Sequence, residues 1–205
     1  MTRPVCVLAG ALLTLCCGAL PSWAGEGGLD FQIRYVSNLN VGDSIINITN
    51  DGEDLNIGVT GNICVGVYSF DASEELLSCC ACQVTPDGLV SISAQAINAT
   101  NLTPEVPTAL VIKLVAWYPY GESWCNAAEP GSVGGGLQAW ATTLHALPST
   151  PVTYGVTETA FSPATLSVTE LEHITQFCQF NQANGTGFGQ CKGCNPGAAG
   201  ATAQQ

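Results

Sequence analysis

The chain has 205 residues, with four Lys plus Arg against sixteen Asp plus Glu and a formal net charge of −12. Neutralising nucleic-acid phosphates or binding an anionic membrane surface requires basic side chains, so the charge argues against both partners. Charged residues make up 10% of the chain and apolar residues 46%. The acidity therefore reflects scarce bases, and the length suits one domain with a buried core.

The first 24 residues have the layout of a signal peptide. Arg3 precedes an apolar run at residues 5–20, and Ser22 and Ala24 are the small residues that a cleavage site needs. A retained anchor is the alternative, which the short run disfavours. We expect a secreted chain, extracellular or periplasmic, without a membrane anchor.

Short β-type runs separated by turn residues follow. Phe31, Ile33 and Tyr35 alternate with polar residues, which is typical of a half-buried strand. The runs lie at residues 30–37, 44–50, 62–70, 76–85, 89–97, 108–118, 137–146 and 152–161. Eight short strands without alternating helices predict a mainly β domain over residues 25–165, an antiparallel β-sandwich of immunoglobulin-like architecture.

One C-terminal helix is predicted after this domain. Ser167 and Glu170 form a capping box, and Gly185 is a natural stop. The face expected to pack on the sandwich comprises Val168, Leu171, Ile174, Phe177, Cys178 and Asn181. Residues 166–194 are expected to form a helical, Cys-rich appendage packed on the sandwich, and residues 195–205 a disordered tail.

Cleavage after Ala24 leaves an even number of cysteines, which in an exported chain predicts a disulfide framework. These are Cys64, Cys79, Cys80, Cys82, Cys125, Cys178, Cys191 and Cys194. A hairpin of residues 62–70 and 76–85 would set Cys64 opposite Cys82, within disulfide range, with Cys80 on the same face and Cys79 on the other.

The Cys79–Cys82 cluster finds its natural partners among the later cysteines. We therefore expect at least one bridge from this cluster to the C-terminal appendage. Two alternatives concern Cys191-Lys192-Gly193-Cys194. A redox dithiol would need a helix to follow, and Asn195-Pro196 begins none; zinc ligation is less suited to an exported chain. No cofactor is expected.

Other candidate chemistry is sparse. The aromatic segment around residues 117–124 could bind a carbohydrate, with strand-end packing as the alternative; its members are Trp117, Tyr118, Tyr120 and Trp124. A weak calcium candidate, lacking EF-hand spacing, comprises Asp51, Glu53 and Asp54. His145 and His173 lie in no recognisable nucleophile motif, and no catalytic residue is predicted. The carboxylate pairs at Glu74-Glu75 and Glu170-Glu172 are explained as solvated charge, the second also as a helix-dipole partner.

Several motifs resemble an uncharacterised family of exported, Cys-rich bacterial proteins. They are GDSIINITNDG (42–52), NICVGVYSFDASEELLSCCACQVTPDGL (62–89), TTLHALP (142–148), YGVTETAFSPATLS (154–167) and NGTGFGQCKGC (184–194), which carry CCxC and NGxGFGxCxxC patterns. The family has no assigned activity, so the resemblance implies a bacterial, exported protein and carries over no site residue.

The leading functional hypothesis is a secreted, non-enzymatic surface, matrix or appendage protein. Strand addition would join it to further copies or to other extracellular proteins. The second hypothesis is an extracellular binding module for a carbohydrate or a cation. The third, a secreted hydrolase, requires His145 or His173 beside a Ser or a carboxylate in a cleft.

Overall fold

A computed structural model of the chain describes residues 30–52, 61–98, 106–119, 125–185 and 189–194. The predicted signal peptide (1–24) and the predicted disordered tail (195–205) lie outside the described residues. Within these ranges, no helix combines the length and the apolar character needed to cross a membrane.

The chain folds into two antiparallel sheets, as the alternating pattern predicts. The strands are β1 (Phe31–Val36), β2 (Ser44–Asn50), β3 (Ile63–Phe70), β4 (Leu76–Val84), β5 (Leu89–Ser93), β6 (Leu110–Trp117), β7 (Leu137–Leu147), β8 (Thr153–Ala160) and β9 (Ser162–Pro163). The helices are α1 (Ala94–Asn98) and α2 (Val168–Ala183). The five-stranded sheet has the order β4-β3-β6-β1-β9, and the four-stranded sheet has the order β5-β2-β7-β8. The mainly β class, with two packed antiparallel sheets, is confirmed.

The main core lies between the two sheets. Inward-facing side chains of both sheets form one buried cluster, which includes Val65, Val67, Ile112 and Leu114 on one side and Ile46, Ile48, Ile92 and Ala141 on the other. Phe161, between β8 and β9, joins this cluster as the chain passes from one sheet to the other. This is the packing of a sandwich, in which alternate residues of each strand point inward.

A second core covers the outer face of the five-stranded sheet. Tyr68 and Trp117 pack there with Ile174 of α2 and with Ala127 and Ala128 of the loop between β6 and β7. Every residue of β3 and β4 is buried. These two strands are therefore covered on both faces.

The helix α2 begins where the capping box predicts. The Ser167 Oγ accepts a hydrogen bond from the Glu170 N–H at 3.1 Å, and the helix ends before Gly185, whose φ of 85° suits glycine. The predicted packing face is only partly correct. Ile174, Cys178 and Asn181 are buried, whereas Val168 and Phe177 are 74% and 46% exposed, because α2 contacts the sheet along a narrower strip.

The predicted strand at residues 89–97 is wrong at its end. The chain turns into α1 after Ser93, whose Oγ accepts from the Ala96 N–H at 3.0 Å. The Asp43 carboxylate accepts from the Gln95 N–H at 3.0 Å. These two acceptors satisfy the first N–H groups of a helix, so the strand stops there.

The predicted register of the β3–β4 hairpin is also wrong, by one residue. It holds at the turn, where Phe70 lies opposite Leu76, but a β-bulge follows and Ser69 pairs with Ser78. Since a shift of one residue reverses the faces, Cys64 lies opposite Gln83 and not opposite Cys82.

Candidate functional site

All eight predicted cysteines are joined in four disulfides. The pairs are Cys64–Cys125, Cys79–Cys178, Cys80–Cys191 and Cys82–Cys194, with Cα–Cα distances of 5.5, 5.7, 4.8 and 5.5 Å. Three of them link β4 to the helix or the tail, so the predicted connection to the appendage is confirmed. Several such cross-links in one chain are typical of an oxidising environment, extracellular or periplasmic.

The strand faces explain the pairing. Cys80 and Cys82 point into the main core, whereas Cys79 points to the outer face under α2. Cys64 shares that outer face, which is why its partner is Cys125. The prediction that Cys80 and Cys82 share one face of β4, with Cys79 on the other, is correct. The prediction that Cys64 lies on the same face as Cys80 is wrong, because the bulge shifts the register by one residue.

The tail at residues 189–194 closes one side of the sandwich. The Ala81 N–H donates to the Gly189 carbonyl at 3.3 Å, and the Cys191 N–H donates to the Ala81 carbonyl at 3.1 Å. Gly193 then approaches β5, where an added Cβ would lie 3.5 Å from the Ser91 carbonyl oxygen. The tail therefore pairs with the outer edge of β4 and reaches the outer edge of β5.

The same cysteines bear on the metal and redox alternatives. The sulfurs of Cys82, Cys191 and Cys194 lie within 4.8 Å of one another, a separation that a metal site could use. They are bonded in disulfides to Cys194, Cys80 and Cys82 respectively. In this arrangement they act as cross-links and not as ligands.

The predicted aromatic segment does not form an exposed platform in its described part. Trp117 is 1% exposed and packs in the second core, and Tyr118 is half-buried. Tyr120 and Trp124 lie outside the described residues. The neighbouring Tyr68 is also buried; burial raises the pKa of its hydroxyl group, which donates to the Ala127 carbonyl at 2.7 Å.

The calcium candidate is only partly described. Asp51 is exposed, and its N–H donates to the Gly136 carbonyl at 2.9 Å. The preceding Asn50 is buried, and its side-chain amide connects two other segments by donating to the Gly61 and Val84 carbonyls at 2.7 and 3.1 Å. Glu53 and Asp54 lie outside the described residues, and within the described ranges Asp51 belongs to no cluster of three metal ligands.

The two histidines have structural neighbours. His145 hydrogen-bonds to Asn38 Nδ2 at 3.1 Å through Nδ1 and to Thr157 Oγ1 at 2.7 Å through Nε2. His173 packs edge-on against Phe177, with ring centroids 4.6 Å apart. These neighbours are neither Ser nor carboxylate, so the described contacts lack the constellation that the hydrolase hypothesis requires.

The acidic pairs differ in their environment. Glu74 lies in the β3–β4 turn with a φ of 67° and is exposed. Glu170 forms an ion pair with Lys113 of β6, with Nζ and Oε1 2.5 Å apart. Glu170 is thus half-buried and ties α2 to the sheet, a role that the solvated-charge interpretation misses.

The outer edges of the two sheets differ in how they are protected. The tail covers β4 and approaches β5, and β9 has two residues, of which Pro163 lacks an N–H donor. The fourth edge is β8, which is eight residues long and exposed at every position except Gly155. Neither Lys nor Pro interrupts β8, although both commonly protect sheet edges. In the described fold, β8 is the open edge.

The backbone groups that β8 presents outward follow from its register. Just beyond the strand, the Phe161 N–H donates to the Ala139 carbonyl at 2.9 Å, and the pairing continues with Thr159 opposite Ala141. Bonded and non-bonded pairs alternate along antiparallel strands. The N–H and C=O groups of Tyr154, Val156 and Glu158 therefore point away from β7.

A polar ladder crosses the outer face of the four-stranded sheet, and sequence reasoning missed it. Ser91 Oγ donates to Asn47 Oδ1 at 2.7 Å, Asn47 Nδ2 donates to Thr142 Oγ1 at 3.1 Å, and Thr142 Oγ1 donates to Glu158 Oε1 at 3.2 Å. The half-buried Trp140 lies beside it, between Asn47 of β2 and Ala160 of β8. The alternation of β7 indicates which face Trp140 occupies, but only the strand order gives its neighbours.

No family model, no curated protein and no solved structure matches this chain.

Proposed function

We propose that this chain is a secreted, non-enzymatic structural protein of a cell surface or an extracellular appendage, which joins its neighbours by strand addition at β8. The open edge carries the proposal: seven of the eight residues of β8 are exposed, and outward backbone groups at every second position form a template for another strand. The resemblance to exported bacterial proteins and the oxidising compartment that the disulfides indicate both support an extracytoplasmic role.

Four cross-links suit such a role. They connect β3 to the loop before β7, and β4 to α2 and the tail. These elements lie away from β8, so the sandwich is held together while the edge stays accessible. A rigid body with one open edge can pair with one partner strand without refolding.

The test is surface retention of the full chain exported from a bacterial host. Val156→Pro removes one outward N–H, and the preceding Gly155 has no Cβ to clash with the proline ring. Val156→Thr is the matched control, since it keeps the N–H and a β-branched side chain. Both variants are first checked for unchanged circular dichroism.

We expect the unaltered chain and Val156→Thr to be recovered in cell-associated or oligomeric material, and Val156→Pro to be released as a monomer. Equal retention of Val156→Pro and the unaltered chain would contradict strand addition at β8. Complete release of the unaltered chain as a monomer would contradict the structural role itself.

A binding module for carbohydrate is the second candidate. Its support is the outer face of the four-stranded sheet, where Trp140 lies beside hydroxyl, amide and carboxylate groups of the polar ladder. Sugars stack on indole rings and hydrogen-bond to such groups. Binding to a glycan array that is lost in Trp140→Ala and kept in Tyr118→Phe would favour this candidate; binding unaffected by Trp140→Ala would oppose it.

A further inference from the structure

We infer that the partner of β8 is β8 of a second copy of this chain, paired antiparallel about a two-fold axis at Val156. The two four-stranded sheets then join into one sheet of eight strands. This inference rests on the proposed function, and it names the partner and the register.

The outward groups of β8 match those of an identical strand. Tyr154, Val156 and Glu158 point their N–H and C=O groups away from β7, at the spacing of the bonded pairs in an antiparallel ladder. With Val156 opposite Val156 of the second copy, Tyr154 lies opposite Glu158. Each outward residue then faces an outward residue, and the pairing extends from Thr153 to Thr159.

Charge disfavours registers whose axis is shifted toward Glu158, and an axis shifted toward Thr153 would shorten the paired segment. Shifting the axis to Thr157 would bring the two Glu158 carboxylates to diagonal positions, about 7–8 Å apart. The axis at Val156 separates the two positions by four residues along the strand, about 13 Å, which exceeds the Debye length of about 8 Å at physiological salt. An axis at Glu158 would place the two carboxylates directly opposite each other.

The side chains also suit self-pairing. On the outer face, Val156 packs on its own copy, and the hydroxyl of Tyr154 faces the Glu158 carboxylate. On the opposite face, Gly155 faces Thr157, and Thr153 faces Thr159. Cross-strand pairs of β-branched residues and of Thr with Thr stabilise antiparallel strands.

The body of the protein leaves room for the second copy. Both faces of β8 are exposed, so this strand extends beyond the five-stranded sheet that packs behind its neighbours. The chain re-enters the core only at Phe161, which is 4% exposed. A second β8 can therefore approach in the plane of the sheet without displacing any of the described elements.

The net charge predicts how the affinity of this dimer depends on salt concentration. Two chains of charge −12 repel each other, and the paired strands carry one carboxylate each and no base. Screening weakens the repulsion and leaves the backbone hydrogen bonds in place. Association through β8 should therefore strengthen as salt rises, whereas association driven by opposite charges would weaken.

The experiment uses the purified chain without residues 1–24, alone in solution. Sedimentation over a range of concentrations and salt measures the dimer, and residue-resolved amide exchange reports on β8. We expect the amides of Tyr154, Val156 and Glu158 to exchange on the order of tenfold more slowly in the dimer than in the monomer. The amides of Gly155 and Thr157 should be protected in both states, because they bond to β7.

An isotope-filtered nuclear Overhauser contact between Gly155 Hα of one copy and Thr157 Hα of the other would establish the register. A Thr157–Thr157 contact would overturn it. Val156→Pro should remain monomeric, and Val156→Thr should dimerise like the unaltered chain. A dimer whose Tyr154 and Val156 amides still exchange rapidly would refute the interface.

The inference and the proposed function fail in different ways. If the purified chain stays monomeric at every concentration and salt, while surface retention still requires the Val156 N–H, then β8 takes a strand from another protein. The structural role then stands and self-pairing is refuted. If retention is also insensitive to Val156→Pro, both are refuted.

Discussion

Three of the four disulfides are removed one at a time, with Cys80–Cys191 kept intact. Their contributions to the free energy of unfolding should rank in the reverse order of their sequence separations. The separations are 61 residues for Cys64–Cys125, 99 for Cys79–Cys178 and 112 for Cys82–Cys194. A longer closed loop restricts the unfolded chain more, so separation alone would rank Cys82–Cys194 first.

The intact Cys80–Cys191 bridge shortens two of these loops. While Cys80–Cys191 is intact, the Cys79–Cys178 bridge closes a loop that runs from Cys79 to Cys80, across that disulfide, and back over the 13 residues from Cys191 to Cys178. A bridge that closes a loop of about 15 residues stabilises the folded chain by about 3 kcal/mol. Cys82–Cys194 closes about six residues, which corresponds to about 2 kcal/mol. No bridge shortens Cys64–Cys125, and its 61 residues correspond to about 4 kcal/mol.

The assay is equilibrium unfolding in guanidinium chloride of three variants, each with both cysteines of one pair replaced by Ala. Truncation also leaves a cavity at each buried sulfur. Cys125 is the half-buried exception among the six, so the cavity contribution works against the predicted order. Free energies of unfolding that fall most for Cys82–Cys194 and least for Cys64–Cys125 would refute the reasoning.

Three further predictions concern the second core and its surroundings. Ile174→Ala, at a fully buried position, should lower the free energy of unfolding by about 2–5 kcal/mol. In the same urea titration, Phe177→Ala should lower this free energy much less. Equal decreases for the two variants would contradict the observed packing of α2. A double-mutant cycle on Lys113 and Glu170 should give a coupling below about 1 kcal/mol that shrinks in high salt; a salt-independent coupling would point to a more deeply buried pair. Because burial raises the pKa of Tyr68 above its unfolded value of 10.0, the unfolded chain loses this proton first as pH rises, and stability should fall above pH 10 by up to about 1.4 kcal/mol per pH unit. Tyr68→Phe should flatten this slope in unfolding measured from pH 9 to 11, and an unchanged slope would assign it to another group.

Local patterns were sufficient to predict most elements of the fold. The β-type runs located eight of the nine strands, and the pair Ser167 and Glu170 located the start of α2. The bulge at Leu77 of β4 could not be predicted in this way, since one extra residue leaves the alternation on either side intact. The short helix after Ser93 depends on Asp43, which is distant in sequence and close only in the fold.

The candidate site was harder to predict because it depends on strand order. Nothing in the composition of β8 distinguishes a central strand from an edge strand; its position beside β7, with no strand beyond it in the described part of the chain, is a property of the whole sheet. Likewise, Asn47, Thr142 and Glu158 are far apart in sequence, and only the pairing of β2, β7 and β8 places them in one ladder. The half-exposed Phe177 shows the same limit, since helical spacing identifies a broad apolar face but not the strip that the sheet covers.

The cross-links from β4 to α2 and the tail also determine when folding can finish. Cys79, Cys80 and Cys82 are synthesised 99, 111 and 112 residues before their respective partners Cys178, Cys191 and Cys194. Contacts of such long sequence separation form slowly, because a large loop must close before they are gained. A chain interrupted before residue 178 would keep three unpaired thiols on β4 and an unsealed sandwich, which leaves it open to proteolysis and to mispairing. Oxidative folding can therefore be completed only once the chain extends through Cys194.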